Sequence, residues 1–251
     1  MDDQRPHASS PIVLDVTGLT VAYGKAEVVH GANLRVHEGE FVVLLGRNGA
    51  GKSSSLHAIG ALIQRKGGEI RFLGQDVTKS NARALARMGL VNVLEGHRVF
   101  TTLSVEDNLM LGTYAQNPHG DKAAVESAME IFPELADLRH QLASRLSGGQ
   151  QQILAVAQGI AAKPKLLVLD EPSGGLAPLV IDRILTVAKT LTRQGTAVLL
   201  VEQLVKEAFK FADYCYLMEN GKIGGEGTVE SVRSGDLIQR IYLGGAASEQ
   251  E

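Results

Sequence analysis

The run Gly46-Arg47-Asn48-Gly49-Ala50-Gly51-Lys52-Ser53 fits G-x-x-x-x-G-K-[ST] in full, with Ser54 directly behind it. Glycines let a backbone wrap closely and aim successive N–H groups at one point, which makes an anion cradle. A helix is expected to start at Lys52, so the lysine charge adds to the positive end of the helix. This chemistry suits a triphosphate, with Lys52 on the β- and γ-phosphates and the Ser53 hydroxyl on Mg²⁺. A second group is Leu166-Leu167-Val168-Leu169-Asp170-Glu171, an apolar run that ends in two acids. A buried strand delivering carboxylates at its C-terminal end puts them where α/β sheets take ligands. Asp170 is placed to hold Mg²⁺ through water. Glu171, one step further out, is placed to polarise an attacking water. A third group, Leu146-Ser147-Gly148-Gly149-Gln150, lies about twenty residues before the acids. Its serine and glycine amides open an expected helix and form another anion cradle.

These groups need a scaffold of alternating strands and helices. Short β-rich runs cover Val13–Thr17, Leu19–Tyr23, Ala32–Val36 and Glu40–Leu45. The glycine loop follows, and an apolar-periodic stretch predicts a helix to about Ile63. Glu69–Leu73 reads as a strand, with Gly74-Gln75-Asp76 as its turn. From about Leu94 to Ala162 the chain becomes helical. Ser104 and Asp107 resemble a capping box ahead of Leu109–Leu111. Asp121–Ile131 predicts a helix stopped by Pro133, and Gly148–Ala162 another. Leu166–Leu169 and Ala197–Val201 read as strands covered on both faces. Between them, Val180, Ile181, Ile184, Leu185, Val187, Ala188 and Leu191 form one helical stripe. Tyr214–Glu219 and Lys222–Glu226 flank Asn220-Gly221, a hairpin signal. Two short helices and a polar tail, Ala246–Glu251, close the chain.

Composition fits this outline. Of 251 residues, 44% are hydrophobic and 21% charged, which excludes a largely disordered or collagen-like chain. The net charge of −3 offers no basic bulk for nucleic acid. Cys215 is the one cysteine, so no internal disulfide can form and a cytosolic setting is expected. No apolar run approaches the ~18 residues of a membrane span, and the polar stretch Met1–Pro11 does not read as a signal peptide.

Leu146 to Gln150, spaced as it is from Asp170-Glu171, resembles the signature of the ATP-binding cassette (ABC) ATPases, and the resemblance spans Ile12 to about Gly244. It implies an α/β, P-loop NTPase core with an N-terminal antiparallel β subdomain and an inserted α-helical subdomain. The expected layout is a flexible tail (1–11), one ABC ATPase domain (12–244) and a second tail (245–251). Within the domain, 12–93 and 163–244 form the core and about 94–162 the insert. Tyr23 matches the family's adenine-stacking aromatic. Ser147 with Gly148 and Gly149 would grip the γ-phosphate held on another subunit's loop, so cassettes pair head-to-tail. Glu95, in Val93 to Phe100, stands where the family's Q-loop has Gln, and is carried over as a metal-site residue. Ala177 stands where many members have Asp. Gln203 stands where most have a switch histidine, and joins Glu171 and Lys52 as a catalytic residue. Leu94 replaces a usual proline and Ser54 a usual threonine.

Glu-Gly-x-Arg-Val-Phe, Gly-Leu-Ala-Pro and Val-Glu-Gln look like the ATPase subunits of bacterial branched-chain amino-acid importers (LivF-like). That implies Mg²⁺ with ATP as substrate, a second ABC ATPase subunit or a homodimer, two membrane permeases and, indirectly, a solute-binding protein. The expected location is cytoplasmic, peripheral on the inner face of the cell membrane. Alternatives are an ATPase for urea or amides, an exporter ATPase, or a nucleotide-gated clamp that hydrolyses poorly because of Gln203 and Ala177. A soluble ABC protein of DNA repair or translation would carry two cassettes or a long coiled-coil insert, and this sequence has neither.

Overall fold

The β-rich runs at the start of the chain join into longer strands than their spacing suggests. In the computed structural model, which describes residues 5–96 and 98–234, β1 (Ile12–Tyr23) pairs antiparallel with β2 (Ala26–His37). The expected break between Thr17 and Leu19 is a register shift at Gly18 that bends β1 without ending it. β3 (Phe41–Leu45) runs into the glycine loop, and α1 (Lys52–Ile59) leaves it. The helix stops short of the expected Ile63 because Gly60 caps it and Ala61 turns left-handed, φ 54°. β4 (Gly67–Phe72) and β5 (Gln75–Asp76) follow. Their turn is centred on Leu73-Gly74, so Gln75 and Asp76 pair with Phe72 and Arg71 instead of forming the bend. α2 (Ala82–Met88) and β6 (Leu90–Val93) fall where no element was expected.

The helical part holds α3 (Val105–Thr113), α4 (Lys122–Ile131), α5 (Pro133–Ala136) and α6 (Gly148–Ala161). Ser104 caps α3, but the return contact of the capping box goes from its Oγ to the Asp107 carboxylate (2.6 Å). Pro133 does more than stop a helix. It opens α5 at a first-turn position, where a missing N–H costs nothing. The chain then alternates through β7 (Leu166–Asp170), α7 (Pro178–Thr192), β8 (Ala197–Glu202), α8 (Val205–Ala208), β9 (Tyr214–Glu219), β10 (Lys222–Thr228) and α9 (Val229–Ser234). Asn220 and Gly221 both have positive φ (46° and 76°), as a two-residue hairpin of this type needs. The second C-terminal helix and the tail from residue 245 lie outside the described residues.

Two sheets result. One has the order β2-β1-β4-β5, the other β10-β9-β3-β8-β7-β6. In the second, β6, β7, β8, β3 and β9 are parallel and only β10 runs against its neighbour. Both faces of this sheet are covered, which explains its continuous apolar runs. Phe41, Val43 and Leu45 pack with Leu167, Leu169, Val198 and Leu200 against the helices. The alternate residues Val42 and Leu44 pack with Val168, Leu199 and Val201 against α1 and the antiparallel sheet. The parallel strands therefore share one C-terminal edge, where Leu45, Asp170 and Glu202 stand side by side.

Residues 5–10 do not form the loose tail that their polarity suggests. Arg5 is buried, its guanidinium stacked 3.9 Å from the centre of the Tyr214 ring. It donates to Tyr216 Oη (2.5 Å) and to the Arg35 carbonyl (3.1 Å). Tyr216 Oη also accepts from the Arg35 N–H (2.8 Å). A long cationic side chain has supplied the binding energy that the polar segment lacks, and it ties residues 5–10 to both sheets.

Candidate nucleotide site

The site is built on the shared edge. Because β8 lies between β3 and β7, the residues after each of the three strands meet above it. From β3 the chain enters the glycine loop, where close approach decides the sequence. A Cβ on Gly46 would sit 2.3 Å from the Met218 carbonyl. One on Gly51, at φ 102°, would sit 2.6 Å from the Val28 carbonyl. Only glycine fits either place. The loop residues Arg47, Asn48, Gly49 and Ala50 line a hollow of about 300 Å³ with Met218, Glu219 and Asn220.

Lys52, the first residue of α1, is buried, with 4% exposure. Its Nζ donates to the Arg47 carbonyl (3.2 Å) and lies 3.3 Å from Glu171 Oε1. Ser53 Oγ donates to Asp170 Oδ1 (2.9 Å). Asp170 is 2% exposed, and its Oδ2 has no hydrogen-bond partner. A buried carboxylate oxygen left unsatisfied beside a hydroxyl is costly unless something else fills the gap. A small hard cation does so: Mg²⁺ is held by one or two carboxylates plus waters and substrate phosphates, not by a full protein cage. The donor set fits that pattern, and no cluster of three or more acidic, histidine or cysteine ligands exists among the described residues.

Glu171 follows β7 in a left-handed conformation, φ 43°, which is strained for a residue with a side chain. Its N–H is held by the Val201 carbonyl (3.0 Å). Its two oxygens face different partners, Oε1 toward Lys52 and Oε2 accepting from Gln203 Nε2 (2.7 Å). Gln203 comes directly after β8. Its own N–H bonds to Glu202 Oε2 (3.0 Å), while Glu202 Oε1 accepts from the Ser173 N–H (3.2 Å). Buried Glu202 thus fixes the backbone after both strands, a task the sequence alone did not reveal.

Tyr23 ends β1 with 54% exposure, its hydroxyl 3.4 Å from Ser54 Oγ, so an open ring stands next to the glycine loop. The Leu146–Gln150 segment is brought neither to Lys52 nor to Asp170. It caps α6: Ser147 Oγ accepts from the Gln150 N–H (3.3 Å), and Gln150 Oε1 from the Ser147 N–H (2.9 Å). This is a full capping box, and it leaves the Ser147 O–H and the amides of Gly148 and Gly149 at the helix start. Glu95 follows β6 in an exposed turn on the same sheet edge. Its carbonyl, and not its carboxylate, takes a bond from Arg98 Nε (3.0 Å). Beside it, Leu94, Arg98, Ala82, Gly112 and Gln158 border a largely apolar groove of about 350 Å³ between the core and the helical part. No helix among the described residues is long and apolar enough to cross a membrane.

A glycine loop between strand and helix, an acidic strand end two places away and a capped Ser-Gly-Gly helix define a P-loop ATPase of the cassette type. Solved structures agree on the fold. The ADP conformation of an ATP-binding cassette of an ABC transporter superposes with TM-score 0.82 at 24% identity, over 94% of this chain and all of that one. A nucleotide-free cassette gives 0.81 at 24% identity, over 93% of this chain and 99% of that one. The family model described as "ABC transporter" matches residues 29–174. Among curated relatives, the high-affinity branched-chain amino acid transport ATP-binding protein BraG of Pseudomonas aeruginosa is 37% identical over 93% of this chain and its own full length. The lipopolysaccharide export system ATP-binding protein LptB of Haemophilus influenzae is 30% identical over 92% of this chain and 97% of its own. The chain belongs to the ABC transporter family, as an ATP-binding and ATP-hydrolysing cassette. Cassettes of this family work as dimers with membrane permease subunits and generally use Mg²⁺ with ATP.

Proposed function

We propose that this cassette drives import of branched-chain amino acids, docked on two permeases at the inner face of the cell membrane. The observation that carries this reading is the 37% identity to BraG along nearly the whole chain. Two local features support it. Gln203 stands beside Glu171 where most cassettes have a histidine, and Glu95 opens the turn beside the groove.

In the working cycle, ATP stacks its base on Tyr23 and lays its phosphates along Gly46 to Ser54. Lys52 leaves Glu171 for the β- and γ-phosphates. Ser53, Asp170 and Glu95 would hold Mg²⁺, which would supply charge neutralisation on the phosphate oxygens. Glu171, released by Lys52 but still held by Gln203, accepts a hydrogen bond from the attacking water and directs it in line with the γ-phosphate. Gln203 can donate but cannot carry a proton. It therefore fixes the carboxylate and leaves the proton to Glu171. The second cassette, a copy or a sister chain, supplies Leu146 to Gln150, whose Ser147 O–H and glycine amides meet the same phosphate. ATP thereby favours the closed pair. The groove beside Glu95 takes a segment of a permease and passes closure on to it.

The test is reconstitution of the chain with its permeases and solute-binding protein in vesicles. ATP-dependent accumulation of leucine, isoleucine or valine is expected. Accumulation of urea or an amide instead would overturn the solute class. The similarity to LptB favours export as the second reading, and outward movement of substrate in the same vesicles would select it.

A further inference from the structure

The carboxylate of Asp170 is gripped from two sides by one helix. Ser53 and His57 stand four residues apart on α1, so their side chains lie on one face. Ser53 Oγ reaches Asp170 Oδ1 at 2.9 Å, and His57 Nε2 reaches Oδ2 at 3.1 Å. Sequence reasoning attached no role to His57, which reads there as one polar residue in a helical stretch. We propose that His57 is a positioning residue that sets Asp170 for Mg²⁺.

His57 Nε2 stands 3.1 Å from Oδ2, yet that oxygen has no hydrogen-bond partner, so the contact lies outside hydrogen-bond geometry. The imidazole therefore flanks Oδ2 without using up its acceptor position. With Ser53 on the other oxygen, the carboxylate cannot swing about its last bond, and Oδ2 keeps an open acceptor position in a buried setting. Partners of this kind orient metal-binding carboxylates, and removing one typically costs 10–100-fold in metal affinity. His57 itself is partly exposed, with side-chain exposure of 31%, so its replacement leaves the core packing in place.

This role rests on the reading of Asp170 as a Mg²⁺ residue, and the experiment separates the two. Affinity of the full chain for a labelled ATP analogue is measured with Mg²⁺ and with a chelator, in wild type, His57→Leu, His57→Gln and Asp170→Asn. Thermal melts confirm folding. His57→Leu is expected to keep its Mg²⁺-free affinity within about twofold and to lose about tenfold of the gain that Mg²⁺ gives. His57→Gln, which keeps an N–H at similar reach, restores that gain. Full gain in His57→Leu while Asp170→Asn loses it overturns the role of His57 alone. Equal loss in the Gln and Leu variants, or loss of Mg²⁺-free affinity in the Leu variant, overturns it as well. Full gain in Asp170→Asn overturns the underlying reading and this role with it.

Discussion

Gln203 Nε2 donates to Glu171 Oε2 at 2.7 Å, while Lys52 faces the other oxygen of the same carboxylate at 3.3 Å. In the proposed cycle, one acid is thus shared between the group that is to bind phosphate and the group that is to steady it once phosphate has arrived.

Removing the amide tests the second half of that arrangement. Gln203→Leu should keep nucleotide affinity and lose at least tenfold in kcat, since a positioned general base contributes about 10²–10⁴-fold. Gln203→His should keep the donor and add a titrating group. Its kcat should then vary between about pH 6 and 7.5, where an ordinary histidine changes charge, and wild type should stay flat. Measurement needs the assembled transporter with any sister cassette silenced at its own loop lysine. A flat profile in the histidine variant places residue 203 away from the chemistry.

Lys52→Ala should weaken ATP binding by about tenfold or more, because a buried charge partner of the phosphates is gone. Glu171→Gln should bind ATP and stall. Gel filtration with ATP and Mg²⁺ should then show a cassette pair that dissociates without nucleotide. Wild-type turnover in Glu171→Gln would remove Glu171 from the reaction.

Tyr216→Phe strips the hydroxyl that meets both the Arg35 backbone and Arg5. The buried donors left behind should cost about 1–3 kcal/mol, visible as a lower denaturation midpoint with unchanged slope. Arg5→Ala should cost a similar amount, and the double variant less than the sum, because the two share one network. Full additivity would show that Arg5 does not hold the N-terminal segment through Tyr216.

Glu40 is fully buried. Its Oε2 accepts from the His37 N–H (2.8 Å), and its Oε1 has no hydrogen-bond partner. Burial pushes its pKa up, against the pull of the His37 N–H and nearby Arg5. A carboxyl raised in the folded state contributes stability below its unfolded value and loses it as pH rises through the folded one. Ionised Glu40 is therefore a burden at neutral pH. Glu40→Gln should melt above wild type at pH 7.5–8, by on the order of 1 kcal/mol, and the gap should close as pH falls toward 5. A gap that widens on acidification would contradict the assignment.

Much of the site was legible because its chemistry depends on spacing. Phe41 to Ser53 and Leu166 to Glu171 each join a continuous apolar strand to the polar residues at its C-terminal end, so both strand and end can be read from one short stretch. Contacts made across the chain were hidden. Nothing local in His57 points to Asp170, 113 positions away in sequence (170 − 57). Glu202 looked like part of a strand end and proved to clamp two loops. Gly18 was legible as a break, yet sheet pairing on both sides of β1 carried the strand through it. The N-terminal segment misled for the same reason: its polarity was read correctly, but the tyrosines that receive Arg5 lie some two hundred residues later.

The hairpin between β9 and β10 bears on protein engineering. An Asn-Gly tip is the sort of place where one would splice a tag or a reporter domain. Here the tip is a bench on which the glycine loop rests. The Gly221 N–H bonds to the Ala50 carbonyl (2.9 Å), its carbonyl takes the His30 N–H (2.8 Å), and the Met218 carbonyl presses against Gly46. Cargo inserted at Asn220 would pry the bench from the loop and silence the nucleotide site from behind. The turn at Pro118-His119, exposed and bonded mainly within itself, is a freer port among the described residues.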